Sequence, residues 1–171
     1  MMTIGHGTQT IEAFIDLLKR SGVRTLVDVR AFPRSRHNPQ FDRESIGWSL
    51  EAAGIDYRWA QALGGRRRST GDSTNTALRN PSFRAYADYM LTDEFRRALD
   101  DALRDDGGEH AAAMCSESVW WRCHRRLIAD AVVLLRDKPV AHIMPDGKLA
   151  AHRPTPGVRV QDGRLIYDVE V

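Results

Sequence analysis

EHAAAMCSESVWWRCHRR, Glu109 to Arg126, sets two cysteines, Glu117, His124 and three arginines directly after a short apolar run. His110 to Met114 is apolar after its first residue and follows Gly107-Gly108, which suits a buried strand. From Val119 onward the period changes. His124, Leu127, Ile128, Ala131 and Leu135 fall at i, i+3, i+4, i+7 and i+11, one face of a helix. With Ser116 or Ser118 as its cap, that helix leaves Cys115, Ser116 and Glu117 in a strand-to-helix turn. Open α/β folds place their ligands at such turns, on the carboxyl edge of a parallel sheet.

Working outward, the same alternation recurs. Thr3 to Gly5 opens as a strand, and Thr8 is the expected cap of a helix carrying Ile11, Phe14, Ile15 and Leu18. Gly22 closes that helix at the position after its cap. Thr25 to Val29 reads as a β-branched buried strand. Ala31 to Phe41, with two prolines and no period, reads as a surface loop. A helix over Asp42 to Ala53 turns Ile46 and Leu50 inward, and Ile55 to Trp59 is the next strand. Gln61 to Leu78 is glycine-, arginine- and serine-rich, and loops of that length are usually functional or mobile. Asn80-Pro81 caps and starts one helix, and Thr92 caps another. Pro139 to Ile143 and Leu165 to Val169 are the last expected strands. The order β-α-β-α-β-α-α-β-α-β predicts an α/β fold, one domain over residues 1–171, its sheet mostly parallel with helices on both faces.

Composition bounds the function. A chain of 171 residues with net charge +2 buries a real core and carries too little charge to argue for nucleic acid on its own. No apolar run approaches the roughly 20 residues that span a bilayer. The N-terminus lacks a signal peptide's apolar core, so a cytoplasmic location and two reduced cysteines are expected. Charge is unevenly spread: residues 30–68 hold eight arginines, four acids and no lysine.

His6, Asp28, Arg30, Cys115, Glu117 and His142 each lie at or just past the end of an expected strand, so a parallel sheet brings them to one edge. Each also has a bland reading. His6 suits a turn between glycines, and Asp28 a cap or an arginine partner. Arg30, Arg34 and Arg36 suit a solvated loop as well as an anion site. His142 and His124 suit the core. A thiol at a helix N-terminus, the place expected for Cys115, is acidified, although free cysteine is also among the most buried residue types. Glu117 opposes a simple thiolate and suits acid/base work.

Specific chemistries narrow the choice. A tyrosine-phosphatase loop needs five residues between Cys and Arg, whereas six separate Cys115 from Arg122. A rhodanese-like persulfide site wants an anion-cradling loop after Cys115 and fits weakly. A zinc site using Cys115, Cys123 and a histidine lacks a Cys-x-x-Cys pair. Neighbouring residues such as Cys123 and His124 also project about 100° apart on a helix. No metal ligand or cofactor is therefore assigned.

Residues along most of the chain resemble one bacterial family. They are Thr3-Ile4-Gly5-His6, Val27-Asp28-Val29-Arg30 with Pro33 and Ser35, Pro39 and Phe41, Gly54-Ile55 with Tyr57, Leu63-Gly64-Gly65, Met114-Cys115 with Glu117, Cys123-His124-Arg125, and Val140 with His142-Ile143. In this order and spacing the chain resembles the family catalogued as domain of unknown function 488. The resemblance implies a compact α/β domain and brings no reaction with it. Gly7 stands where members often carry serine, which weakens any role for that hydroxyl.

The leading expectation is an enzyme acting on a small anionic ligand, phosphorylated or nucleotide-like. Cys115, Glu117, His6 and Asp28 are the catalytic candidates. Arg30, Arg34, Arg36, Cys123, His124, Arg125 and His142 are the binding candidates. Two alternatives remain: a nucleic-acid-binding protein using Arg34, Arg36, Arg43, Arg58 and Arg66 to Arg68 with a tryptophan for stacking, and a redox or metal module built on Cys115, Cys123 and His124.

Overall fold

The structure is a computed structural model describing residues 1–69 and 71–170; Thr70, within the long loop after Gln61, lies outside the described residues. In chain order the elements are β1 (Met2–Gly5), α1 (Ile11–Arg20), β2 (Thr25–Asp28), α2 (Arg43–Ala52), β3 (Asp56–Trp59), α3 (Pro81–Met90), α4 (Asp93–Ala102), β4 (Ala111–Cys115), α5 (Arg125–Arg136), β5 (Ala141–Ile143), β6 (Leu149–Ala151), β7 (Val158–Gln161) and β8 (Arg164–Tyr167). The main sheet has the order β3-β2-β4-β1-β5-β6, with β6 antiparallel to β5 and the other pairs parallel. β7 and β8 form a separate antiparallel hairpin.

All five residues of β4 are buried, because a parallel sheet is covered on both faces. The two-residue period sorts them. Ala111, Ala113 and Cys115 join Val27 and Val29 in the cluster under α3, α4 and α5, whereas Ala112 and Met114 join Ile4 and Leu26 in the cluster under α1 and α2. Helices thus cover both faces, as the alternation predicts.

Local chemistry sets the ends of the elements. Asn80 accepts from Ser82 N and caps α3, with Pro81 at its first position. Thr92 caps α4. Thr10, not Thr8, caps α1, through a 3.2 Å bond from Ala13 N; the turn at Gly7, with φ +52, delays the helix. Gly22 and Gly54 take left-handed φ just past α1 and α2.

Three expectations need correction. α5 begins at Arg125, not Val119; residues 116–124 are loop with a short 3₁₀ turn at Trp120–Arg122, and neither Ser116 nor Ser118 caps the helix. The Ala31–Phe41 loop is not wholly on the surface, since Phe41 is fully buried and stacks on His6 at 4.2 Å. β6 and β7 have no counterpart in the sequence reading.

Candidate functional site at the carboxyl ends of β1, β2 and β4

β2 and β4 are neighbours whose following connections diverge. α2 leads to β3 on one side, and α5 leads past β1 to β5 on the other, across opposite faces. Ligands of open α/β sheets bind at such a divergence, outside the carboxyl ends of the strands. The ladder continues past the strands here: His6 N donates to Cys115 O and Gly7 N to Ser116 O, both at 3.0 Å. The chain after β4 folds back over the end of β1, and only glycine fits at position 5. A Cβ there would lie 2.0 Å from Glu117 O.

A cleft of about 380 Å³ opens at this crevice. Its charged lining is Arg30, Arg34, Arg66 and Arg122 against one carboxylate, Glu117. Its floor carries His6, Cys115, Cys123 and His124. A wider depression of about 830 Å³ lies over α2 and β3 around Trp48, but it gathers no cysteine and no histidine.

The floor is rigid. Asp28 is fully buried and takes a bidentate grip on Arg30, from Nε at 2.9 Å and Nη2 at 2.6 Å, while Tyr57 Oη donates to it at 2.6 Å. Arg30 Nη2 also donates to Phe41 O, and Nη1 lies 3.3 Å from His6 Nε2. His6 Nδ1 is 2.8 Å from Gly7 O, so Nδ1 carries the proton and Nε2 accepts from Arg30. Burial first, and the Arg30 cation with it, pushes the His6 pKa down, outweighing the pull of Gly7 O and leaving a neutral imidazole.

The sulfur cluster follows the same logic. His124 Nε2 donates to Val29 O at 2.9 Å, which leaves the Nδ1 lone pair facing Cys123 Sγ at 3.5 Å and Cys115 Sγ at 3.9 Å. The three donor atoms lie within 4.8 Å of one another. The Cys115 thiol is held well below the usual thiol range, mainly by a hydrogen bond from Cys123, which outweighs its burial. Cys123 is pushed up by sharing that bond and by burial. The acidity of Cys115 does not come from a helix N-terminus, because α5 starts ten residues later.

Of the residues chosen from sequence, the fold brings His6, Arg30, Arg34, Cys115, Glu117, Cys123 and His124 to the cleft; Glu117 and Arg34 are exposed at its rim. Asp28, Arg36, Arg125 and His142 are outside its lining. Asp28 sits behind Arg30. Arg125 is buried, donating to Glu117 O and Thr3 Oγ1. His142 belongs to a separate buried chain. Thr3 Oγ1 lies 2.6 Å from His142 Nδ1, His142 Nε2 lies 2.9 Å from His152 Nδ1, and His152 Nε2 lies 2.7 Å from Asp130. Trp120 stacks on His142 at 4.1 Å, so it does not offer its face to the cleft.

The sequence reading left out Arg122 and Gly65 as site residues. Arg122 adjoins Cys123 in the motif and would have been found had the loop been recognised. Three of the seven arginines proposed for a nucleic-acid face are engaged on the protein itself: Arg67 lies over Tyr89 at 3.4 Å, Arg43 over Trp59 at 4.4 Å, and Arg58 beside Asp105. No helix among the described residues is long and apolar enough to cross a membrane.

No curated protein and no solved structure matches the chain. A family model, described as Domain of unknown function DUF488, matches residues 10–132. That span carries every cleft residue named above except His6, and by this match the chain belongs to the DUF488 family.

Proposed function

We propose that the protein is an enzyme that takes a small anionic ligand, phosphorylated or nucleotide-like, into the cleft at the carboxyl ends of β1, β2 and β4. The observation that carries this reading is the meeting of four arginines with an acidified cysteine in one concave site. Arg34, Arg66 and Arg122 are exposed and present guanidinium groups, which suit phosphate and carboxylate oxygens. Arg30, its charge balanced by Asp28, holds His6 Nε2 from the floor, and Asp28 acts through it. Cys115 supplies the electron-rich atom. Neutral His6 and rim-exposed Glu117 supply proton transfer. A reducing, cytoplasmic setting suits the two free thiols. A small ligand fits better than nucleic acid, since Arg34, Arg66 and Arg122 converge on a concave cleft.

Thermal shift with pyrophosphate and nucleotides, on wild type and on an Arg34→Ala/Arg66→Ala variant, tests this. A ligand at about 100 times its Kd adds about 2.7 kcal/mol, or roughly 5–10 °C in a chain of this size. The double variant should lose most of that shift while keeping its unliganded Tm. A shift that survives both substitutions, or none from any phosphorylated compound, would sink the reading.

A further inference from the structure

We propose that Cys115, Cys123 and His124 hold one divalent, thiophilic metal ion, zinc being the expected one, with its fourth position open to the cleft. The donors are of the right kind and number: two sulfurs and one imidazole nitrogen make a three-ligand tetrahedral site of the sort that keeps a position for water or substrate. The spacing agrees. Metal–sulfur bonds of about 2.3 Å and metal–nitrogen bonds of about 2.0–2.1 Å at tetrahedral angles place sulfur and nitrogen about 3.6 Å apart. The distances from His124 Nδ1 are 3.5 Å to Cys123 Sγ and 3.9 Å to Cys115 Sγ.

Two further features point the same way. The Nε2–H of His124 is given to the Val29 carbonyl, which fixes the tautomer with Nδ1 bare; a backbone carbonyl behind a ligating histidine is the usual outer partner. Gly65, part of the cleft lining, has no left-handed φ to explain it, but a Cβ there would stand 2.6 Å from His124 Nδ1. The same Cβ would stand 2.7 Å from Cγ and 3.0 Å from Cε1, so the bare backbone of Gly65 closes on the face of the ring and holds its plane, leaving the in-plane approach to Nδ1 to the ligand. The local structure permits this because Cys123 is extended, with φ −124 and ψ 150, and precedes α5. The helical projection that would part Cys123 from His124 does not apply.

The charge balance also works. Both cysteines bind as thiolates, releasing their protons to solvent, and two thiolates cancel a divalent charge, so the surrounding arginines face a neutral centre. All three donors line the cleft, so the open position faces it and takes a water or an oxygen of the anionic ligand. Only this last clause rests on the reading of the cleft as an anion site; the ion itself needs the three donors alone.

The test uses cobalt(II) and zinc on the full chain after removal of metal with a chelator. The expected result is one cobalt per chain with thiolate-to-cobalt charge transfer and the intense visible bands of tetrahedral cobalt, displaced by zinc. Cys115→Ser and Cys123→Ser should abolish the charge-transfer signature in protein whose circular dichroism is unchanged. Gly65→Ala, which keeps all three donors, should weaken cobalt binding by about tenfold or more, the range seen when a ligand's surroundings are disturbed. No thiolate–cobalt band in wild type, or a band that persists in Cys123→Ser, overturns the site; the cluster is then a dithiol. Running the pyrophosphate thermal shift on metal-free and metal-loaded protein separates the two ideas. Metal without an anion shift supports the ion and sinks the anion-site reading, and an anion shift without metal does the reverse.

Discussion

His142 links acid to stability. It is 1% exposed, and its hydrogen bonds run in one direction. His152 Nε2 donates to Asp130, so His152 Nδ1 accepts from His142 Nε2, and His142 Nδ1 accepts from Thr3 Oγ1. A second proton on His142 would point at Thr3, whose oxygen is already approached by Arg125 Nη1 at 3.4 Å. Burial first, then His152 and Arg125, push its pKa down from 6.5 to about 3. The unfolded chain binds this proton below pH 6.5 and the folded chain does not until about pH 3, so the stability is whole above 6.5 and drains away as the pH falls. Between pH 7 and pH 5 the loss integrates to roughly 2 kcal/mol. The assay is urea unfolding at several pH values for wild type and His142→Gln, which has no group titrating in this window. Wild type should lose about 2 kcal/mol more than the variant between pH 7 and pH 5. Parallel pH profiles would refute the neutral, one-way chain.

Three other outcomes follow from the geometry. Asp28→Asn should destabilise by about 3–5 kcal/mol, because it leaves Arg30 buried beside a neutral partner, whereas Tyr57→Phe should cost about 1 kcal/mol; similar losses in urea unfolding would contradict this. Gly5→Ala should lower Tm by roughly 2–10 °C, since a Cβ 2.0 Å from Glu117 O forces the backbone apart; an unchanged melting curve would mean the loop is soft. In chelator-treated protein, iodoacetamide should modify Cys115 before Cys123, with a pH midpoint below that of a free thiol that rises in Cys123→Ala; peptide mapping that finds Cys123 modified first would reverse the assignment.

The layout was legible where a segment's own residues decide it. The alternation at Ala111–Cys115, the prolines and caps at Asn80-Pro81 and Thr92, and the glycines after α1 and α2 all report locally. Residues 116–124 are different. Their path depends on Arg125 reaching Glu117 O and on the space at Gly5, contacts that no periodicity records. The stripe His124, Leu127, Ile128, Ala131 is real, but extending it back to Val119 overruns the loop. Strand ends placed His6, Arg30 and Cys115 together, and the three share one cleft. They said nothing about face, which is why His142, paired with Thr3, went to a different buried network from the cleft. β6 and β7 are short and mostly exposed, with too little apolar pattern to be seen without their partners.

The span shared with the family and the unit that must fold are not the same. The match covers residues 10–132, yet β1 lies outside it and sits between β4 and β5 in the middle of the sheet. Tyr167 also lies outside; it donates to Asp130 at 2.9 Å and accepts from Ala77 N. A fragment cut at the limits of the match would lack a central strand and strand a carboxylate in the interior. Residues 2–5 and the β7–β8 hairpin must therefore accompany the family span whenever the protein is trimmed, swapped or grafted.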